Sequence, residues 1–218
     1  MPSKSKKINL KKSRIRAFFN SLSPQEDSDV QAEELKKIEK EGMPYIQLRL
    51  PVKEITPEFE NKITQKVEHN VIKAQIREAE FRDLKTIKEI HDKAWLTSNT
   101  PFRAIDIDTL EIIFEDKDTI FLIAKVYGRD AGFIILDSEE EGKVGTIAAL
   151  GVLPNFQRKG LGLVLGMAGW NYFKKHHPNI EELRAEVYEK NKVSYNFIKA
   201  LGFNKFDVKH YKKEDFEL

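Results

Sequence analysis

The sequence predicts an α+β domain: a mixed, mostly antiparallel sheet flanked by helices on both faces, behind an N-terminal extension. Three observations carry this. The runs TIFLIAKVY, AGFIILD and VGTIAALGV follow one another with only Gly128-Arg129-Asp130 and the acidic SEEEGK between them, the spacing of an antiparallel meander. Helical periodicity lies on both sides of the meander. Charge, finally, sets the first residues apart: 1–22 carry seven Lys/Arg and no acid, whereas 23–41 carry seven acids and three lysines.

The elements follow in order. Within 1–22, Ile8, Ile15, Phe18, Phe19 and Leu22 fall near one helical face, with Lys11, Arg14 and Arg16 away from it. This segment reads either as an arm for RNA, a partner or an anionic surface, or as a tail docking its phenylalanines on its own domain. The acidic part reads as a helix ended by Gly42. YIQLRLPV alternates like a strand, and Pro51 restricts it to an edge or an end. Thr56-Pro57 supplies an N-cap and first-turn proline for a helix carrying Phe59, Ile63 and Val67. VIKAQIREAE reads as a strand and FRDLKTIKEIHDKAW as a helix, with Asp108-x-x-Glu111 capping another. Beyond the meander come a glycine loop with its helix, a strand LRAEVYE, a helix over 192–201 and a last strand near FDVKHY. We expect an extension over 1–43, a strand and helix addition over 44–70, and a main domain over 71–218.

Composition narrows the classes. The chain has 218 residues, a formal charge of +2 and no cysteine, which excludes disulfides, thiolate metal sites and cysteine nucleophiles. His176-His177 lack a third ligand, so no metal is expected. No apolar run is long enough to span a bilayer, and the lysine-rich start has no apolar segment of a secretory signal. The expected location is the cytoplasm.

NFQRKGLGLVLG holds the chemistry. It is not a phosphate loop of the G-x-x-x-x-G-K-[ST] kind, because the lysine precedes the glycines. A dinucleotide fingerprint needs a different glycine spacing and a preceding parallel unit. A helix N-terminus whose free N–H groups cradle a pyrophosphate, with basic side chains beside it, fits Gln157-x-x-Gly160-x-Gly162. The alternative is a glycine-softened helix start packed under the sheet.

Gln157-Arg158-Lys159-Gly160-Leu161-Gly162 resembles the Q/R-x-x-G-x-G/A acyl-CoA loop of the GNAT N-acetyltransferase superfamily, including its protein N-terminal acetyltransferase branch. ALGVLPNFQRKGLG and AEVYEKNKVSYNFIKALGF are similar to the family's strand-loop-helix and its following strand and helix, a resemblance over about 74–211. It implies acetyl-CoA as co-substrate and direct attack by a primary amine, with protein or peptide amines ahead of small ones. Leu150, Gly151 and Val152 would pair with the pantetheine arm, and the Val152 N–H would face the thioester carbonyl. Residues Arg158, Lys159, Gly160, Leu161, Gly162 and Leu163 would hold the pyrophosphate behind Gln157, and Asn191 would touch the pantetheine.

Glu186 matches the base of that N-terminal branch; alternatively it is a strand glutamate paired with Arg184 or Lys190. The sequence departs from the family pattern at the acid: the slot of the tyrosine that protonates the thiolate holds Ile198. Tyr195, one turn earlier, is the candidate acid, with Tyr188 and Tyr211 behind it. Trp95 and Phe102 are expected to wall the acceptor site, or else to anchor their own loop. The missing tyrosine and the charged extension leave a second reading, a non-catalytic acyl-CoA-binding or partner-recruiting module.

Overall fold

The computed structural model describes residues 36–38, 40–70, 72–98, 105–212 and 215. The arm over 1–22 and Phe102 lie outside them. Strands β1 (Met43–Pro51), β2 (Gln75–Glu78), β3 (Thr119–Val126), β4 (Arg129–Glu139), β5 (Val144–Val152), β6 (Glu182–Tyr188) and β7 (Asn204–Tyr211) form one sheet in the order β2-β3-β4-β5-β6-β1-β7. Every pairing is antiparallel except the parallel β5–β6 contact. Among the described residues, 36–38 and 40–41 are helical ahead of β1, and the α-helices that follow are α1 (Pro57–Glu68), α2 (Leu84–Leu96), α3 (Ile107–Phe114), α4 (Leu161–His176) and α5 (Lys192–Ala200).

Both sheet faces are apolar, because β3 and β4 alternate between two cores. Leu122, Ala124, Ile134 and Leu136 join Leu161, Leu165 and Phe173 of α4 and Ile198 of α5. Phe121, Ile123, Phe133 and Ile135 join Leu84, Ile87 and Ile90 of α2 and Leu110 and Ile113 of α3. A strand buried on both sides reads as a continuous apolar run, as TIFLIAKV does.

Several local expectations shift. Strand β1 is not at the sheet edge; it lies between β6 and β7 and pairs with both. Pro51 is tolerated because it is the last residue, where its missing N–H interrupts no ladder. Leu48 and Leu50 are buried in the main core, each worth about 1.5–3 kcal/mol. The cap of α3 is Asp106, not Asp108: its carboxylate accepts from the Thr109 backbone N–H at 2.7 Å and hydroxyl at 2.8 Å. The β3–β4 turn is Tyr127-Gly128, both at positive φ, the two-residue turn that matches strand twist. Thr56 caps α1 as expected, accepting from the Phe59 N–H at 3.2 Å, and the Gly42 N–H bonds the Ile38 carbonyl at 2.8 Å.

Helix α1 runs antiparallel along α4. Near its start, Glu60 accepts from Lys174 at 2.8 Å and from the Trp170 indole. Just beyond its end, the Asn70 side chain donates to the Gly160 carbonyl at 3.2 Å.

Candidate active site

The site starts from a defect in the ladder. Between β4 and β5 the register slips, with Ile135 opposite Ala149 and Leu136 opposite Ile147, so Ala148 is an extra residue. A bulge bends its strand. The parallel pairing with β6 ends at this point, the last pair being Ile147–Ala185. Beyond it β5 and β6 diverge, opening a cleft lined by Tyr45, Trp95, Leu150, Glu186, Tyr188 and Asn191, with Ser194, Phe197 and Ile198 of α5.

The register also decides which β5 amides face this cleft. The Leu153 N–H donates to the Ala131 carbonyl at 2.9 Å. Bonded and non-bonded pairs alternate along an antiparallel ladder. Gly151 therefore bonds Phe133 of β4, while the N–H groups of Leu150 and Val152 point away from β4, toward the open side. Gly151 is a glycine for packing: a Cβ there would lie 2.5 Å from the Phe133 ring. The Val152 carbonyl is taken by the Gln157 amide, which donates to it at 2.9 Å and reaches Thr97 at 3.4 Å. Gln157 thus ties the loop to the ends of β5 and α2.

Phe197, which lines the cleft, also packs over Gly162 in the first turn of α4. Arg158 and Gly160 have left-handed backbones, with φ of 56° and 85°. Gly160 is the N-cap, so the first-turn N–H groups of Leu161 and Gly162 have no intrahelical acceptor. They combine with the positive end of the helix dipole. Arg158 and Lys159 are exposed, and no carboxylate among the described residues pairs with either. Free donors, a helix N-terminus and two unpaired cations fit a diphosphate. Leu163 continues the first turn, its N–H donating to the Gly160 carbonyl at 3.0 Å. Gly162 makes room for a neighbour, since a Cβ would sit 3.1 Å from the Phe197 ring. Gly166 and Gly169 do the same for Leu201 and for Leu136 and Ile134.

Of the candidate catalytic residues, Glu186 is half-buried in the cleft wall. Its carboxylate accepts from the Tyr211 hydroxyl at 2.8 Å. Arg184, one of its two expected alternative partners, instead pairs with Glu182 and Glu140. Burial pushes the Tyr211 phenol far above its ordinary range, so it stays a donor to Glu186. The family's tyrosine slot does face the cleft, but Ile198 fills it, buried. Tyr195 packs against the main core beside the cleft lining, and Tyr188 is the cleft tyrosine on β6. Asn191 lines the cleft while its side-chain oxygen caps α5, accepting from the Ser194 N–H at 3.0 Å. Trp95 lines the cleft with its ring stacked on His91, centroids 4.6 Å apart.

Three participants escaped the sequence reading. Tyr45 belongs to β1 and reaches the cleft only through its pairing with Tyr188. Phe197 is an unremarkable helix residue until α5 is packed on Gly162. Asn70 touches Gly160 across 90 residues of chain. No local pattern marks any of them.

Comparison with known proteins gives a consistent result. The model of the acetyltransferase (GNAT) family matches residues 84–203. The chain is similar to the peptidyl-lysine N-acetyltransferase YiaC of Escherichia coli (strain K12), 32% identical over 139 residues, which is 61% of this chain and 84% of that protein. Among solved structures, it resembles the PaiA N-acetyltransferase of Thermoplasma acidophilum in complex with coenzyme A, with a TM-score of 0.54 and 23% identity over 64% of this chain and 99% of the other. It also resembles the aminoglycoside N-acetyltransferase AAC(6')-Iy in complex with CoA, with a TM-score of 0.53 and 19% identity over 66% and 97% of the two chains. The divergent β5 and β6, the glycine-led helix packed under Phe197 and these matches agree: the chain belongs to the acetyltransferase (GNAT) family.

Proposed function

We propose that this acetyltransferase moves an acetyl group from acetyl-CoA to a primary amine by direct attack, with a lysine of a protein or peptide as the favoured acceptor. The observation that carries the reading is the opened edge of β5: the Leu150 and Val152 N–H groups point away from β4 beside a cleft whose lining residue Phe197 packs on Gly162 in the first turn of α4. A pantetheine arm along that edge would complete the ladder as an added strand. The Val152 N–H would polarise the thioester carbonyl, and such donors contribute on the order of 3 kcal/mol to acyl transfer. Residues 158–163 would hold the diphosphate.

In this reading Glu186 takes a proton from the ammonium. The amine nitrogen then forms the bond to the acetyl carbon, the nitrogen gives up its second proton as the carbon–sulfur bond breaks, and the departing thiolate is protonated. The base matters most for lysine, since at pH 7 only about one free lysine in 2,500 is neutral. Tyr45, Trp95 and Tyr188 beside one carboxylate suit a cationic side chain, which aromatic faces attract. The likeness to a peptidyl-lysine N-acetyltransferase points the same way. For the thiolate, Tyr195 is the proposed proton donor; its packing against the core argues for a modest contribution. No helix among the described residues is long and apolar enough to cross a membrane, and the cytoplasm is the proposed site of action.

Ile198 in the tyrosine slot favours a second reading, a module that binds acyl-CoA without turnover. Calorimetric titration of acetyl-CoA followed by a lysine-peptide panel separates the two. Saturable binding with acetylated product supports the enzyme; binding without product supports the module; no binding removes the cofactor assignment.

A further inference from the structure

The geometry points to Asn70 as a positioning residue for the coenzyme loop, supplied by the N-terminal strand and helix addition. The proposal rests on the reading that the start of α4 holds the coenzyme diphosphate. Asn70 follows α1, and its own N–H bonds the Val67 carbonyl at 3.2 Å. Its side-chain amide donates to the Gly160 carbonyl at 3.2 Å. The same amide lies flat against the Gly160 α-carbon, so a Cβ there would fall 2.3 Å from three of its atoms. Gly160 is therefore held from two directions, by its left-handed backbone and by the Asn70 amide above it.

The rest of the addition is built to keep that amide in place. Strand β1 is locked between β6 and β7. Glu60 fastens the start of α1 to Trp170 and Lys174 near the far end of α4. Two carbonyls at the end of α1 accept from side chains: His69 Nδ1 bonds the Gln65 carbonyl at 2.6 Å, and Lys73 donates to the Glu68 carbonyl. The negative end of α1 is thus partly neutralised where it adjoins the anion-binding end of α4. Asn70 fixes the Gly160 peptide, and through it the orientation of the first-turn N–H groups. A preorganised cradle loses less entropy on binding. The family model begins at residue 84, so Asn70 lies outside the matched region while Gly160 lies within it.

The test uses the full-length protein and two probes, coenzyme A and pantetheine, the latter lacking the diphosphate and adenosine. Asn70→Ala removes the clamp. Asn70→Asp keeps its shape but replaces the donor with a negative charge. Losing one neutral hydrogen bond predicts a Kd for coenzyme A raised about fivefold in Asn70→Ala. The added charge predicts about tenfold or more in Asn70→Asp at low salt, shrinking as salt screens it. Pantetheine affinity and melting temperature should stay near wild type in both. Equal weakening of both probes, or unchanged coenzyme A affinity in both variants, would overturn the positioning role. Failure of the wild type itself to bind coenzyme A would overturn the underlying loop reading, and the clamp with it.

Discussion

Replacing Gly160 and Gly162 in turn by alanine separates a backbone requirement from a packing one. At Gly160 the backbone is left-handed, φ +85°, which costs an L-residue about 1–2 kcal/mol. The new Cβ would also stand 2.3 Å from the Asn70 amide, so that side chain must leave and its hydrogen bond is lost, about 1 kcal/mol more. The free loop sheds this total of about 2–3 kcal/mol by leaving the geometry proposed to hold the diphosphate, and must restore it on binding, so the Kd for acetyl-CoA rises by up to about 30- to 150-fold. At Gly162 the backbone is helical, and the new methyl would meet only the Phe197 ring at 3.1 Å. Alanine's helix preference, about 1 kcal/mol over glycine, offsets much of that crowding. Gly162→Ala should bind acetyl-CoA within about fivefold of wild type. Calorimetric titration reads both affinities, and a thermal melt of each variant checks that it folds. Wild-type affinity in Gly160→Ala, or equal loss in the two variants, would refute the reasoning.

Other consequences follow from the same geometry. Glu186→Gln keeps an oxygen for the Tyr211 hydroxyl, so coenzyme binding should be spared while turnover of a lysine peptide at pH 7 falls about 10²- to 10⁴-fold. That deficit should narrow toward pH 9, because the neutral lysine fraction rises about tenfold per pH unit; a pH-independent deficit in kcat/KM would tell against Glu186 as the base. Tyr195→Phe should lower kcat by less than about tenfold, given its packing against the core; a loss of about 10² or more would make it the principal acid. Asp83 is hydrogen-bonded by Arg77 at 2.6 and 2.9 Å, which holds its carboxyl down at about 2. The folded-state value lies below that of a free aspartate, so the stabilisation is complete above about pH 5 and is lost as pH falls through 2. Asp83→Asn should cost about 2 kcal/mol at pH 7, or roughly 4–8 °C in Tm, and little at pH 2. An equal Tm difference at both pH values would contradict the ion-pair account.

The sequence by itself determined whatever depends on neighbours along the chain. The meander is legible because strand alternation and turn residues are local, and so are the Thr56 cap and the glycine-led start of α4. Residues 157–163 and Glu186 could be named as candidates for the same reason, since the resemblance that marks them rests on short local stretches. Tertiary structure alone decided what depends on residues far apart in sequence. Pro51 argues for an edge or an end, yet nothing in YIQLRLPV says that two strands more than 130 residues downstream will close on either side of it. Ala148 reads as one more strand alanine, although its bulge ends the β5–β6 pairing and opens the cleft. The cap of α3 moved to Asp106 because the preceding backbone, not the spacing to Glu111, selects which carboxylate meets a free N–H. Tyr195 and Ile198 differ by three residues on one helix, and only the packing of that helix decides which faces the cleft. Local pattern specifies the elements and their chemistry, whereas long-range pairing and burial decide which side chains share a site.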